Sequence, residues 1–209
     1  MGALQMQSDP TTHGVEASNL SFSYGSTPLF SDLNLNVRER LALFVGPSGC
    51  GKTTILKLIG GYLKPTDQST FINNPFRTGM ILQNDMLVPW LSGTRNIELF
   101  LKRPIASFRS HPLFGMIEPI LNQPVYTLSF GQRRMIELVR AFCSDRELLL
   151  LDEPFNYLDE NRRERFANHI INNTKIRIIC TSHYFGEFTN THWEQFRFEG
   201  DPPHTHLIS

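Results

Sequence analysis

Apolar and polar positions alternate over residues 17–24, where Leu20, Phe22 and Tyr24 fall on one face. They alternate again over 29–37, where Leu33, Leu35 and Val37 are in phase. Period-two patterning of this kind predicts strands. Turn residues 25–28 between them predict an antiparallel hairpin. Two uninterrupted apolar runs follow, at 41–45 and 148–151, and a third, mostly apolar stretch lies at 176–182. They predict strands buried on both faces of a parallel sheet. Shorter strands are expected at 69–72 and 79–83, and an edge strand at 194–199. Helices are expected after the glycine-rich segment ending at Thr53, at 94–102 with Thr94 as N-cap, and at 159–172. The clearest amphipathic helix is 131–143. Met135, Leu138, Val139 and Phe142 make its core stripe, with Arg133, Arg134, Glu137 and Arg140 mostly off it. Residues 103–122 read as irregular to weakly helical, and 1–16 and 200–209 as loose tails. Strands alternating with helices indicate an α/β fold on a mainly parallel sheet. In such sheets ligands sit at the carboxyl ends of strands.

Composition narrows the function. The 209 residues suit one domain, or one domain with a subdomain. Lys+Arg and Asp+Glu balance at 20 each, so no global basic field favours nucleic acid. Cys50, Cys143 and Cys180 are far apart in sequence, which argues for free thiols in a reducing compartment. The first fifteen residues lack the apolar core of a signal peptide. No apolar run is long enough to span a membrane, so a membrane role would require another chain.

The chemistry centres on Gly46-Pro47-Ser48-Gly49-Cys50-Gly51-Lys52-Thr53, with Thr54 opening the helix that follows. Strand, glycine loop and helix in that order fit the phosphate-binding pattern. The glycines let backbone N–H groups turn inward on phosphate oxygens, and the helix adds its positive end. Lys52 reaches the β- and γ-phosphates, and the Thr53 hydroxyl ligates Mg²⁺. Asp152 and Glu153 close an apolar strand. Asp152 suits Mg²⁺, and Glu153 the polarisation of an attacking water. Gln83, at another strand end, can join Mg²⁺ or the water, or be merely polar. Ser129, Gly131 and Gln132 open the amphipathic helix as an anion site, an N-cap, or both. His183 follows a buried strand and could donate to a γ-phosphate, which sets it above His13, His111, His169 and His192. His204 and His206 read as solvated. Tyr24 either stacks on an adenine or packs at a strand end.

In this order the motifs at 46–53, Gln83, 128–132, 148–153, Leu158-Asp159 and His183 resemble the nucleotide-binding subunits of ABC transporters. The resemblance covers roughly 19–188. It implies ATP and Mg²⁺ as ligands, and a phosphate-loop NTPase (RecA-like) core with an antiparallel β subdomain and an inserted helical subdomain. The core would comprise 1–84 and 146–209, and the helical subdomain 85–145. It further implies a head-to-tail homodimer or paired ATPase subunit, in which Ser129 and Gly131 face the γ-phosphate held by the partner's phosphate loop and Asp159 lies at the seam. Tyr24 matches the adenine-stacking aromatic. Implied partners are integral-membrane permease subunits, with a substrate-binding protein where the system imports. The expected location is peripheral, on the cytoplasmic face of the membrane.

Several positions depart from the family pattern. Phe130 stands where glycine is usual, adding bulk beside the γ-phosphate site. Asn156 and Tyr157 replace small residues, and Tyr184 replaces a frequent aspartate. Lys52 and Gln83 are closer in sequence than in most relatives, which predicts a trimmed antiparallel sheet, and no regulatory domain is expected after the core. The stretch from Gln83 to Leu91, with Asn96 and Leu99 beyond, is similar to importers of nitrate, sulfonates and taurine. Met86, Leu87, Val88 and Trp90 would then form an apolar groove for a permease helix, the alternative being packing within the subdomain. The leading expectation is an ATPase driving a permease. A soluble ABC ATPase of a cytosolic machine, such as iron–sulfur cluster assembly, is the alternative, and a non-hydrolysing binder the third reading.

Overall fold

The structure, a computed structural model, describes residues 14–173, 175–182, 193–200 and 206–208. Strands β1 (Val15–Tyr24) and β2 (Thr27–Val37) form the expected antiparallel hairpin. Each contains one bulge residue with positive φ, Asn19 at 52° and Asp32 at 53°. The bulges change the alternation midway, so Val15, Ala17, Leu20 and Phe22 all face inward despite their mixed parity. Bulge amides are satisfied locally: Asn19 N donates to Asn34 Oδ1, and Asp32 N to Ser21 Oγ. Strand β3 (Leu41–Val45) leads into helix α1 (Lys52–Ile59). The short β4 (Phe71–Asn73) adds to β1, giving a small antiparallel sheet in the order β2-β1-β4.

The main sheet runs through the centre. It comprises β5 (Thr78–Ile81), β6 (Leu148–Asp152), β7 (Arg177–Ser182), β3, β8 (Glu194–Glu199) and β9 (His206–Ile208), in the order β5-β6-β7-β3-β8-β9. All neighbours are parallel except β8 and β9. Both faces are covered, which is why β3 and β6 read as unbroken apolar runs. Leu41, Leu43, Leu149 and Leu151 face one core, and Ala42, Phe44, Leu148 and Leu150 the other. The second core is closed by α1 and the antiparallel sheet. The first is closed by α2 (Gly93–Leu101), α3 (Phe130–Phe142), α4 (Glu160–Asn172) and the segment between α2 and α3. That segment is a chain of short 3₁₀ turns rather than a weak helix. Arg40 donates to the carbonyls of Ile170, Ile171, Asn173 and Ile176, satisfying acceptors that the end of α4 leaves open.

Four expectations change. The N-cap of α2 is Ser92, whose side chain accepts from Arg95 N; Thr94 lies inside the helix and its hydroxyl donates to Leu121 O. Strand β8 is not an edge, because β9 pairs with it from the supposedly loose tail. Strand β5 stops at Ile81, two residues before Gln83. Arg134 and Glu137 of α3 are buried at 3 % and 1 % exposure, since the loop after β5 lies over that face of the helix, accepting from Arg134 at Leu82 O and donating to Glu137 from Met86 N. Among the described residues, no helix is long and apolar enough to cross a membrane.

Candidate functional site

The loop at 46–53 stands at the carboxyl end of β3. Gly51 caps α1 in the left-handed region at φ 102°, and a Cβ there would strike the Phe30 ring at 2.3 Å. Glycine is therefore required twice over, by conformation and by the packing of the antiparallel sheet against the loop. Pro47, Ser48 and Gly49 are exposed, whereas the Cys50 side chain is buried in the core, leaving its backbone to face outward chemistry. Lys52 is 6 % exposed, and its ammonium donates to the carbonyls of Gly46 at 2.7 Å and Pro47 at 2.8 Å. The charge is thus carried on the loop itself. Tyr24, at the end of β1, is half exposed, rests edge-on against Phe22, and shares a hydrogen bond with Thr54 Oγ1 at 3.1 Å. It therefore stands beside the first turn of α1, next to the loop.

Parallel register brings the acidic pair to the same level. Thr53 Oγ1 donates to Asp152 Oδ2 at 2.7 Å, joining the loop to β6. Asp152 is 1 % exposed, and its other oxygen accepts from Thr181 Oγ1 of β7 at 2.8 Å. Glu153 leaves the strand at φ +47°, an uncommon conformation for a residue with a side chain. Its amide donates to Thr181 Oγ1 at 2.9 Å, and its carboxylate accepts from Asn156 Nδ2 at 2.6 Å. A carboxylate and a hydroxyl in contact are hard oxygen donors of the type Mg²⁺ selects, so Thr53 and Asp152 fit that ion. Thr181 was not singled out in the sequence, and Asn156 stood out there only as a departure from the family pattern. The available signal was a pair of hydroxyl residues, Thr181 and Ser182, closing a mostly apolar strand just before His183.

A second group lies around the start of α3. Ser129 forms a capping box, accepting from Gln132 N at 3.3 Å while its own amide donates to Gln132 Oε1 at 2.8 Å. Gly131 lies against the following loop so closely that a Cβ would meet Tyr157 O at 2.4 Å. Phe130 and Tyr157, two departures noted separately in the sequence, are neighbours, with ring centroids 5.4 Å apart. The Arg133 guanidinium sits 4.4 Å from the Phe130 centroid and pairs with Asp85 at 3.4 Å. Gln83, Asn84, Asp85, Phe130, Arg134 and Tyr157 line a cleft of about 130 Å³. Gln83 is exposed there, with its carbonyl held by the Arg134 guanidinium, which also bonds Leu82 O and Glu137. Burial pushes the Glu137 carboxyl up, opposed by the Met86 amide and by Arg134. Burial likewise lowers Arg140. Asp159 caps α4, accepting from Arg162 N, and is exposed. His183 lies outside the described residues, as does Tyr184.

The proposed apolar groove divides. Leu87 belongs to the core, whereas Met86 and Trp90 are 65 % and 74 % exposed. Asn96 fixes the loop beneath them, bonding Val88 through both its amide oxygen and nitrogen. Farther away, the His111 and His169 rings lie 5.0 Å apart between the subdomain turns and α4. Burial and the neighbouring imidazole push His111 down to about 4, and burial lowers His169. Cys143 is pushed up to about 11 by burial, which makes it an unreactive thiol.

The sequence profile of the ABC transporter family matches residues 30–156. The chain is 36% identical over 167 residues to a taurine import ATP-binding protein from Pseudomonas aeruginosa, covering 72% of this chain and 63% of that protein. It is 32% identical over 177 residues to a spermidine/putrescine import ATP-binding protein from Legionella pneumophila, covering 77% and 49%. The chain therefore spans about half to two thirds of the length of these relatives. Among solved structures, an ABC transporter ATP-binding protein from Pyrococcus furiosus superposes with a TM-score of 0.70 at 20% identity, covering 88% of this chain and 96% of the other. An inward-facing metal-chelate type ABC transporter gives 0.71 at 23% identity. The loop, the acidic strand end, the family signature at 128–132 that opens α3 and the sequence likenesses agree: the chain belongs to the ABC transporter family.

Proposed function

We propose that this chain binds and hydrolyses ATP and drives a separate membrane permease, as an importer subunit for small anions such as nitrate, sulfonates or taurine. The observation that carries the ATPase part is the hydrogen-bonded line Thr53–Asp152–Thr181–Glu153, which brings a phosphate loop, a metal-type carboxylate and a candidate base to one strand level. The backbone of 46–53 and the Lys52 ammonium hold the triphosphate. Tyr24 carries the adenine. Thr53 and Asp152, with Gln83, would hold Mg²⁺, which when bound neutralises phosphate charge. Glu153 takes the proton from water as it attacks the γ-phosphorus, the bond to the β,γ-bridging oxygen breaks so that ADP and phosphate leave, and His183 donates to the γ-phosphate. Ser129, Gly131 and Gln132 serve a second copy or a paired ATPase subunit, with Asp159 at the seam. Residues 1–84 and 146–209 are assigned to the ATP-binding core and β subdomain, and 85–145 to the helical subdomain.

Exposed Met86 and Trp90 support a membrane partner, since apolar side chains gathered on one loop mark interfaces. The choice of small anions rests on the stretch from Gln83 to Leu91. A taurine and a polyamine import protein match the chain at similar identity, so overall likeness does not separate these cargoes. The test is phosphate release with Mg-ATP by the chain and by its Glu153→Gln variant. The variant is expected to bind ATP and to turn over about 10²–10⁴-fold more slowly, the usual cost of a lost general base. Equal rates would remove Glu153 from the chemistry. Co-purification of a polytopic membrane protein separates the permease reading from that of a soluble machine.

A further inference from the structure

Thr181 is fully buried at the end of β7, where Ile178, Ile179 and Cys180 before it are apolar and equally buried. It is the register partner of Asp152 across the parallel β6–β7 pair, so the two side chains emerge on the same face of the sheet. Its hydroxyl is used in both directions. The hydrogen goes to Asp152 Oδ1 at 2.8 Å, and a lone pair accepts the Glu153 amide at 2.9 Å. A valine would fill the same volume in this strand, so packing alone does not call for a hydroxyl.

We propose that Thr181 is a positioning residue that sets the metal-type carboxylate and the water-polarising carboxylate relative to each other. Two physical points carry this. Asp152 has both oxygens engaged by hydroxyls, Thr53 on one and Thr181 on the other, so its plane is fixed from two sides. Glu153 turns off the strand at φ +47°, and Thr181 Oγ1 fixes its amide at that turn. A non-glycine residue in this region persists only when its surroundings impose it. Through one oxygen, therefore, Thr181 ties the direction of the Asp152 carboxylate to the exit direction of Glu153. Asn156 bonds Glu153 at its carboxylate and its carbonyl oxygen, which is not the link between the Glu153 amide and Asp152. Removing the hydroxyl takes a partner from a part-buried amide and from a buried carboxylate oxygen, the costly side of hydrogen-bond energetics.

The proposal rests on the ATPase reading and is tested with the full chain carrying Thr181→Val and Thr181→Ser. Two quantities are measured: ATP binding as a function of Mg²⁺ concentration, and steady-state hydrolysis. Thr181→Val is expected to lower kcat by about 10–100-fold, the range typical for lost orienting partners, and to raise the Mg²⁺ concentration needed for half-maximal ATP binding. The KM for ATP should move little, because the phosphate loop and Tyr24 are untouched. Thr181→Ser keeps the oxygen and is expected to restore both quantities. If Thr181→Val leaves kcat and the Mg²⁺ dependence unchanged, the assignment is overturned. It is also overturned if Thr181→Ser falls as far as the valine variant, since the methyl group would then be what matters. Thr181→Ala gives the same comparison should the valine variant not fold. A natural chain that binds Mg-ATP but does not hydrolyse it would count against the ATPase reading, while the Mg²⁺ shift in binding would still decide the role of Thr181.

Discussion

The strand-end site and the loop between β5 and α2 both hold polar groups out of water, by different means. At the strand ends the parallel sheet supplies the geometry. Asp152 and Thr181 are level because their strands are in register, and Thr53 arrives because β3 lies beside β7 in the same sheet. In the loop there is no ladder. Its carbonyls at Leu82 and Gln83 and its amides at Met86 and Val88 are taken by side chains of Arg134, Glu137 and Asn96 from helices α3 and α2. One region is ordered by backbone register. The other relies on three buried polar side chains, so single substitutions should act very differently on the two.

The largest expected effect on stability is Arg134→Ala. It leaves Glu137, 1 % exposed, without its main cation and strips the loop carbonyls of their donor. Breaking a buried ion pair from one side costs about 3–5 kcal/mol. Urea unfolding should show that loss, and a combined Arg134→Met and Glu137→Leu variant should recover much of it. If Arg134→Ala unfolds like the natural chain, the loop is not held as described.

A smaller effect is expected at the signature. Phe130 and Tyr157 are both exposed, so either one alone contributes little to the core. Their proximity predicts coupling of about 0.5–1.5 kcal/mol in a cycle of Phe130→Ala, Tyr157→Ala and the double variant, the range for aromatic pairs. Strict additivity would mean that the two rings touch without consequence.

The same contrast explains what the sequence disclosed. Core strands were legible because a strand covered on both faces is apolar throughout, as Leu148 to Leu151 are. The phosphate loop was legible because glycine spacing is itself the chemistry. Helix α3 was half legible. Its stripe of Met135, Leu138, Val139 and Phe142 is buried as expected. Arg134 and Glu137 looked solvent-facing because helical periodicity assigns charge to water and carries no information about a loop folding over that face. The strand exit of Gln83 was placed too far along, since β5 is only four residues long and the chain leaves it after Ile81. Phe130 and Tyr157 could each be seen as unusual, but their meeting brings the first turn of α3 against the loop after β6, which are distant in sequence. Thr181 was passed over because it closes its strand with Ser182, and polar residues at a strand end have no periodic pattern that separates a site residue from a merely polar one.

The central claim is that residues 46–53 hold the phosphates of ATP, with Lys52 as the point charge. Titration of Mg-ATP into the natural chain and into Lys52→Ala tests it most directly, with urea unfolding run alongside to confirm that both are folded. The Lys52 ammonium already lies on the loop carbonyls of Gly46 and Pro47, so the charge is in place for an incoming phosphate. The natural chain should bind ATP and a folded Lys52→Ala should not. Equal affinity in two folded proteins would contradict the claim and move the nucleotide elsewhere.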